Sequence, residues 1–276
     1  FAVFCGASCQ PPTPPPTPPV DTQANGIYIL NEGLFQHNNS TISFYNFDTG
    51  DFRADLFLEV NQRGLGDTGN DLKRYGNKLY CVVNNSHRVE VMDFATAKSI
   101  KAISLPGKSP RHITFHQNKA YVSCFDGDVV RIDTATLEVE QSVHSGNNPE
   151  GLCVCNGKLY VANSGGLNNP DYDKTVSVFD INTLTLLKTI EVGINPYMVA
   201  ASDNGQYVYV CTRGDYIDQC GTLSRIDAHT DQVNQTWQNI QNFCLDGNKA
   251  YVYEVDYNAA SNPVKVLNLA NPDMEP

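Results

Sequence analysis

The chain is short of positive charge: 19 Lys and Arg stand against 30 Asp and Glu, for a net charge of −11. A nucleic-acid surface needs clustered cations to release counterions from phosphates, so this balance excludes nucleic acid as a partner. Neutral and amphipathic ligands stay open. Among nine cysteines there is no Cys-x-x-Cys pair, which removes the usual zinc frameworks. No complete calcium-loop pattern occurs; Asp171 with Asp173, and Asp215 with Asp218, read as solvated acidic loops. No segment carries a convincing helical period, so the chain reads as all-β. Hydrophobic residues make up an ordinary 41%, enough for a sizeable core, and 276 residues without repetition would allow one or two domains.

The chain opens on Phe1 rather than Met and stops at Met274-Glu275-Pro276, in the middle of a repeat; it reads as a fragment at both ends. Residues 1–9, Phe-Ala-Val-Phe-Cys-Gly-Ala-Ser-Cys, look like the tail of an apolar signal segment, too short to span a bilayer. Ala7-Ser8-Cys9 resembles the end of a bacterial lipobox, with Cys9 as the acylated residue and Gly6 in place of the usual aliphatic. An ordinary cleaved signal peptide is the other reading. Residues 10–24 begin with a Pro/Thr run. Proline fixes φ and lacks a donor, so this is a stiff polyproline tether. Residues 25–276 form the folded domain.

A repeat of roughly 40–50 residues recurs along that domain. One mark is a Tyr after a Gly/Asn-Lys turn: Gly76-Asn77-Lys78-Leu79-Tyr80, Gln117-Asn118-Lys119-Ala120-Tyr121, Asn156-Gly157-Lys158-Leu159-Tyr160 and Gly247-Asn248-Lys249-Ala250-Tyr251. Asn204 to Tyr209 fits with one extra residue, and Gly26-Ile27-Tyr28 is a weaker first copy. A second apolar run ends at Asp93, Asp133, Asp180 and Asp227, each followed three residues later by a Thr. Asp and Thr in that spacing are turn chemistry. Four short strands per repeat, a to d, predict a β-propeller of four-stranded antiparallel blades.

The a–b and c–d turns are tight and uniform, whereas several b–c loops are long: Asn31 to Ser40, Asn163 to Lys174, Thr212 to Gly221 and Asp256 to Pro263. In a propeller the b–c and d–a loops share a face, so that face is the candidate binding surface. Its loops bring Phe35, His37, Asn85, Asn163, Tyr172, Arg213, Tyr216 and Tyr257, an aromatic and amide mixture suited to a large ligand with apolar and hydrogen-bonding groups. The d–a segments Ser109-Pro110-Arg111-His112, Asn148-Pro149-Glu150-Gly151 and Asn195-Pro196-Tyr197-Met198 share a Pro, and Gly69-Asn70-Asp71 matches them one blade earlier. They predict Asn70, Asp71, Arg111, His112, Glu150 and Tyr197 around the mouth of the central channel. Solvated loop decoration and structural Pro turns are the alternatives.

Lys158-Leu159-Tyr160-Val161-Ala162-Asn163 and Val176-Ser177-Val178-Phe179-Asp180 resemble the YVTN/YncE-like propeller repeats. The opening Ile29-Leu30-Asn31-Glu32-Gly33 and the Asn-rich loop after it are similar to surface lipoproteins of Bacteroidetes. The resemblance implies a ring of seven blades, about five and a half of them present here. It implies an outer-membrane lipoprotein at the cell surface, held by its lipid alone, that captures cobalamin or a related corrinoid for a TonB-dependent transporter. No catalytic residue and no required cofactor follow from it. The acidic run that often follows the lipidated Cys in exported members is absent after Cys9, which keeps a periplasmic face open. His112 reads either as structural or as a residue that approaches a corrin cobalt or a substrate. The enzymatic alternative is a lactonase-like hydrolase using Arg111, His112 and Glu150 as an acid–base set; a protein or glycan interaction module is a third. Most cysteines fall in strands (Cys81, Cys124, Cys153, Cys155, Cys211 and Cys244) and read as small buried apolar residues. Cys211 and Cys220 do not face each other in the hairpin register, which argues against a disulfide.

Overall fold

A computed structural model describes residues 25–253 and 261–270. Cys9, the 10–24 tether and Tyr257 lie outside the described residues. The first blade holds β1 (Gly26–Asn31), β2 (Thr41–Asn46) and β3 (Phe52–Arg53). A short helix α1 (Leu56–Asn61) follows. The second blade is β4 (Gly69–Tyr75), β5 (Lys78–Val83), β6 (Arg88–Asp93) and β7 (Ser99–Ser104). The third is β8 (Pro110–His116), β9 (Lys119–Cys124), β10 (Asp128–Asp133) and β11 (Val139–His144). The fourth is β12 (Pro149–Cys155), β13 (Lys158–Asn163), β14 (Thr175–Asp180) and β15 (Leu186–Glu191). The fifth is β16 (Pro196–Ala201), β17 (Tyr207–Thr212), β18 (Thr222–Asp227) and β19 (Gln232–Gln238). The sixth holds β20 (Asn242–Asp246), β21 (Lys249–Tyr253) and β22 (Lys265–Asn268).

Every sheet is an antiparallel meander in chain order; four have four strands and the first and last have three. The fold is therefore an all-β propeller, with six blades described where the resemblance led to seven. The repeat Tyr falls on β1 in the first sheet and on β21 in the last, so the first sheet shows strands b to d and the last strands a to c. The a strands β4, β8, β12 and β16 pack side by side around the centre.

The Asp of each repeat ends strand c by capping its turn. Asp133 Oδ1 accepts from the backbone N–H of Ala135 and Thr136, and Asp180 and Asp227 repeat this on Asn182 with Thr183 and on His229 with Thr230. Asp93 holds Thr96 in the same way. The residue four after the Asp then takes a left-handed conformation, at Ala97, Leu137, Leu184 and Asp231, and strand c bulges against strand d just before the turn.

In three blades the repeat Tyr ties the blade to the next through its hydroxyl. Tyr28 donates to the Phe94 carbonyl at 2.8 Å, Tyr121 to Ile181 at 2.9 Å and Tyr160 to Ala228 at 3.5 Å. Each acceptor is the residue after the capping Asp of the following blade. The matching carbonyl for Tyr80 is Thr134, which already accepts Lys78 Nζ at 3.3 Å, and the Tyr80 hydroxyl is left without a partner. Helix α1 departs from the reading that the chain has no helix. At six residues it is too short to show a period; the Asp55 carboxylate caps its Leu58 N–H, and Leu56 and Phe57 are fully buried.

Candidate functional site at the channel mouth

The a strands of blades two to five share an irregularity where the chain enters from the preceding blade. Register breaks fall between Gly69 and Asp71, Pro110 and Ile113, Pro149 and Leu152, and Pro196 and Met198. Bulges re-aim side chains and recur next to binding sites. Here they hold Asn70, Arg111 with His112, Glu150 with Gly151, and Tyr197; all but Gly151 are residues that sequence reading places at the mouth, through the Pro-containing segments or, for Asn70, through the matching Gly69-Asn70-Asp71. Sequence reading finds the positions but not the bulge, since an added residue in a strand has no compositional mark. The bulged backbones also come close together. A Cβ on Gly151 would lie 2.5 Å from the Tyr197 carbonyl oxygen and 2.8 Å from the Val199 nitrogen.

The bulged residues form one polar network. Arg111 donates to both Glu150 oxygens, at 2.8 and 3.1 Å, and to Asn70 Oδ1 at 3.3 Å. Glu150 is almost wholly buried. His112 sits between two carboxylates, with Nδ1 3.6 Å from Asp71 and Nε2 3.7 Å from Glu150, and that buried Nε2 has no hydrogen-bond partner. Asp71 accepts the Ile113 N–H at 3.0 Å and lies 3.3 Å from Lys73 Nζ. Burial alone would raise the Asp71 carboxyl, but the neighbouring imidazole, Lys73 and the Ile113 amide together hold it below its ordinary value. Burial works against the Arg111 charge as well, and Glu150 outweighs it, so Arg111 ends above its ordinary value. Tyr197 closes the ring: its edge meets His112 at 5.9 Å between centroids, and the Arg213 guanidinium lies 3.5 Å above its face. Desolvation raises the Tyr197 phenol.

Outside this ring stand the long loops. Phe35 and His37 ride on the loop after β1, exposed, on a turn pinned by the Asp67 carboxylate, which accepts the N–H of Gln36 at 3.1 Å and of Asn38 at 3.2 Å. Asn85 packs beneath it and donates its own N–H to the Asp67 carbonyl at 3.2 Å. Tyr172 and Tyr216, from loops of adjacent blades, meet edge to face at 6.0 Å. Leu34, Leu167 and Ile217 project beside these aromatics, all exposed, and the sequence reading did not single them out. Asn163 behaves differently from its companions. It is buried, and its amide is spent on Thr175, Ser177 and Ser145 inside the blade, so it braces the loop rather than facing a ligand. Asn31 makes the equivalent contacts to Thr41 and Ser43 in the first blade.

An open cleft of about 380 Å³ adjoins the crown, lined by Gly193, Ile194, Gln219, Cys220, Thr222 and Asn239 among others. Asp215 accepts three backbone N–H groups, from Ile217, Asp218 and Gln219. It serves as a loop cap, and among the described residues no group of three or more His, Cys, Asp or Glu is placed to hold a metal. All seven described cysteines are free thiols; Cys220 and Cys244 are exposed, the latter against the reading of Cys244 as a buried strand residue. Burial pushes the others up, Cys211 to about 12, and such thiols are inert.

Solved structures of the same architecture include the hydrazine synthase of Kuenenia stuttgartiensis, 17% identical with a TM-score of 0.60 over 70% of this chain. The match covers 60% of that chain, so the similarity spans about three fifths of the relative's length. The computationally designed Ika8 protein is 15% identical, with a TM-score of 0.61 over 86% of this chain and 70% of its own. At these identities the likeness concerns the fold. No curated protein matches. One family model does, over residues 25–267, nearly the whole described propeller. The chain belongs to the family of that model, a domain of unknown function designated DUF5074.

Proposed function

We propose that this propeller is a non-enzymatic binding module, tethered to the outer membrane through Cys9 and the 10–24 spacer. It presents its loop face to a large ligand with apolar surfaces and hydrogen-bonding edges. The observation that carries the reading is the one-sided crown: exposed Phe35, Leu167, Tyr216 and Ile217 stand around a polar mouth built on four strand bulges. Cobalamin or a related corrinoid is the first ligand to test, and a TonB-dependent transporter the partner to which it would be passed. A corrinoid fits this chemistry because its macrocycle offers broad apolar faces and its rim carries amides.

The acid–base groups at the mouth favour binding over hydrolysis. Both Glu150 oxygens are engaged by Arg111, which leaves that carboxylate poorly available as a base. Calorimetric and spectral titration of the purified chain with cyanocobalamin tests the reading. Saturable heat with a shifted corrin absorbance is the expected result, weakened at least 10-fold in Tyr216→Ala, on the scale of an aromatic hot spot. No heat and no spectral change at high ligand concentration would sink the corrinoid assignment. Lactone turnover abolished by His112→Ala would replace it with the hydrolase reading. Unchanged membrane partitioning of Cys9→Ala would remove the lipid anchor.

A further inference from the structure

The two guanidinium groups at the channel mouth are in opposite situations. Arg111 is committed to Glu150 on both oxygens and to Asn70. Arg213 lies 3.5 Å above the Tyr197 ring and has, among the described residues, neither a hydrogen-bond acceptor for its guanidinium nor an ion-pair partner. The carboxylate closest to it in sequence, Asp215, is engaged by its own loop, where it accepts the N–H groups of Ile217, Asp218 and Gln219. Glu32, exposed on the loop after β1, is felt electrostatically at Arg111 and Tyr197 but makes no ion pair with Arg213. By contrast Lys108, on the same face, lies between Asp126 and Asp128, and Lys174 meets Glu191 at 2.6 Å. With 30 acidic residues against 19 basic ones the chain has carboxylates in excess, and none is placed against Arg213.

The setting keeps this cation ready for an anion. Tyr197 stands on the bulge that follows Pro196, with its ring edge against His112, so the platform under Arg213 belongs to the packed mouth and not to a loop. Stacking holds a guanidinium by its face and leaves the N–H donors in its plane for two oxygens of one anion. A group positioned in advance loses less entropy on binding. The Tyr197 phenol stays protonated, because desolvation raises it, and offers a neutral donor alongside. Arg213 also stands where the polar mouth meets the apolar crown: Tyr216, three residues on, is exposed and meets Tyr172 edge to face at 6.0 Å.

We infer that Arg213, held on the Tyr197 ring, is an oxyanion subsite that receives a phosphate group of the ligand while the crown covers the ligand's apolar body. The choice of phosphate rests on the corrinoid reading, since a complete corrinoid carries a phosphodiester in its nucleotide loop.

Two corrinoid probes isolate the phosphate. Cobinamide phosphate keeps it and cobinamide lacks it, and both are used in their dicyano forms. Calorimetric titration of the full chain is expected to show cobinamide phosphate binding at least about 10-fold more tightly, the scale of a hydrogen bond to a charged group. Arg213→Gln is expected to bind both alike. Arg213→Lys, which keeps the charge but not the planar fork, is expected to lower the preference without abolishing it, and it stands in if circular dichroism shows that Arg213→Gln does not fold. A wild-type chain that binds both probes equally, or an Arg213→Gln chain that keeps the preference, would overturn the subsite and leave the corrinoid reading standing. If neither probe binds, the corrinoid reading fails, and dimethyl phosphate decides the subsite alone. Side-chain NMR is then expected to show the Arg213 Nε–H resonance shifting saturably at millimolar dimethyl phosphate, and not with sodium chloride at the same ionic strength. An Arg213 resonance that does not move would overturn the inference whatever the corrinoids do.

Discussion

Two tyrosines in equivalent positions should answer the same substitution in opposite ways. Tyr121 and Tyr80 are both fully buried repeat tyrosines. Tyr121 donates to the Ile181 carbonyl at 2.9 Å, and the Tyr80 hydroxyl is buried without a partner. Tyr121→Phe removes a made hydrogen bond and strands a buried acceptor, which costs about 1–3 kcal/mol. Tyr80→Phe removes a hydroxyl that paid its desolvation without return, so it should be neutral or stabilising by up to about 1 kcal/mol. The ring is kept in both, so packing against Phe115 or across the third and fourth blades is not altered. Urea unfolding followed by circular dichroism measures both, the midpoints being comparable if the slopes match. A gap of at least about 1 kcal/mol, with Tyr121→Phe the weaker, is expected. Equal losses would refute the account, since the hydroxyl bond would then not distinguish the two sites.

Three further outcomes follow from individual contacts. Glu90 is completely buried between the first two blades, where it takes Arg63 Nη2 at 2.7 Å and the Ser99 hydroxyl at 2.5 Å, with Arg88 Nε 3.6 Å away; Arg63→Ala should cost about 3 kcal/mol in chemical denaturation, the low end for a broken buried pair because Arg63 is partly exposed. Gly151→Ala should cost about 1–3 kcal/mol and loosen the mouth, since its Cβ would meet backbone on the neighbouring blade that cannot move aside alone. The turn carboxylates of Asp133, Asp180 and Asp227 are held below their ordinary values, Asp133 first by Lys119 and the other two first by their Thr amides. Their support is thus complete above the unfolded carboxylate pKa of about 4 and lost as pH falls from there toward their folded values. Asp180→Asn should flatten that acid limb in a pH series of unfolding midpoints.

The parts of the molecule legible in the sequence are those in which one residue solves the same local problem in several blades. A capping Asp followed by Thr, a Tyr after a tight turn and a Pro at the head of strand a each recur at a fixed offset, so their register could be read without coordinates. The order of strands, the constant face and the loop face followed from them. What could not be read departs from the repeat. Helix α1 occupies a single inter-blade crossing, where Asp55 and two buried apolar residues suffice to make one turn and a half. The pairing of Arg111 with Glu150 joins neighbouring blades across 39 residues, and the stacking of Arg213 on Tyr197 depends on where a bulge aims a ring. Asn163 misled for the converse reason: it sits at the edge of a variable loop but repeats the interior role of Asn31.

The same contrast bears on how the mouth can change without unfolding the propeller. Blade spacing rests on strand b tyrosines, Asp turns and apolar faces. The mouth rests on the first two or three residues of strand a, where the bulge has already released the backbone from regular pairing. Substitution there alters the polar ring while the ladder further along the strand continues, from Ile113 opposite Val122 and from Leu152 opposite Val161. A bulge at the entrance of an otherwise regular strand thus separates the polar residues of the mouth from those that hold the blades together. That separation accounts for a chain whose four complete blades agree in their turns while their entrances carry Asn-Asp, Arg-His, Glu-Gly and Tyr-Met.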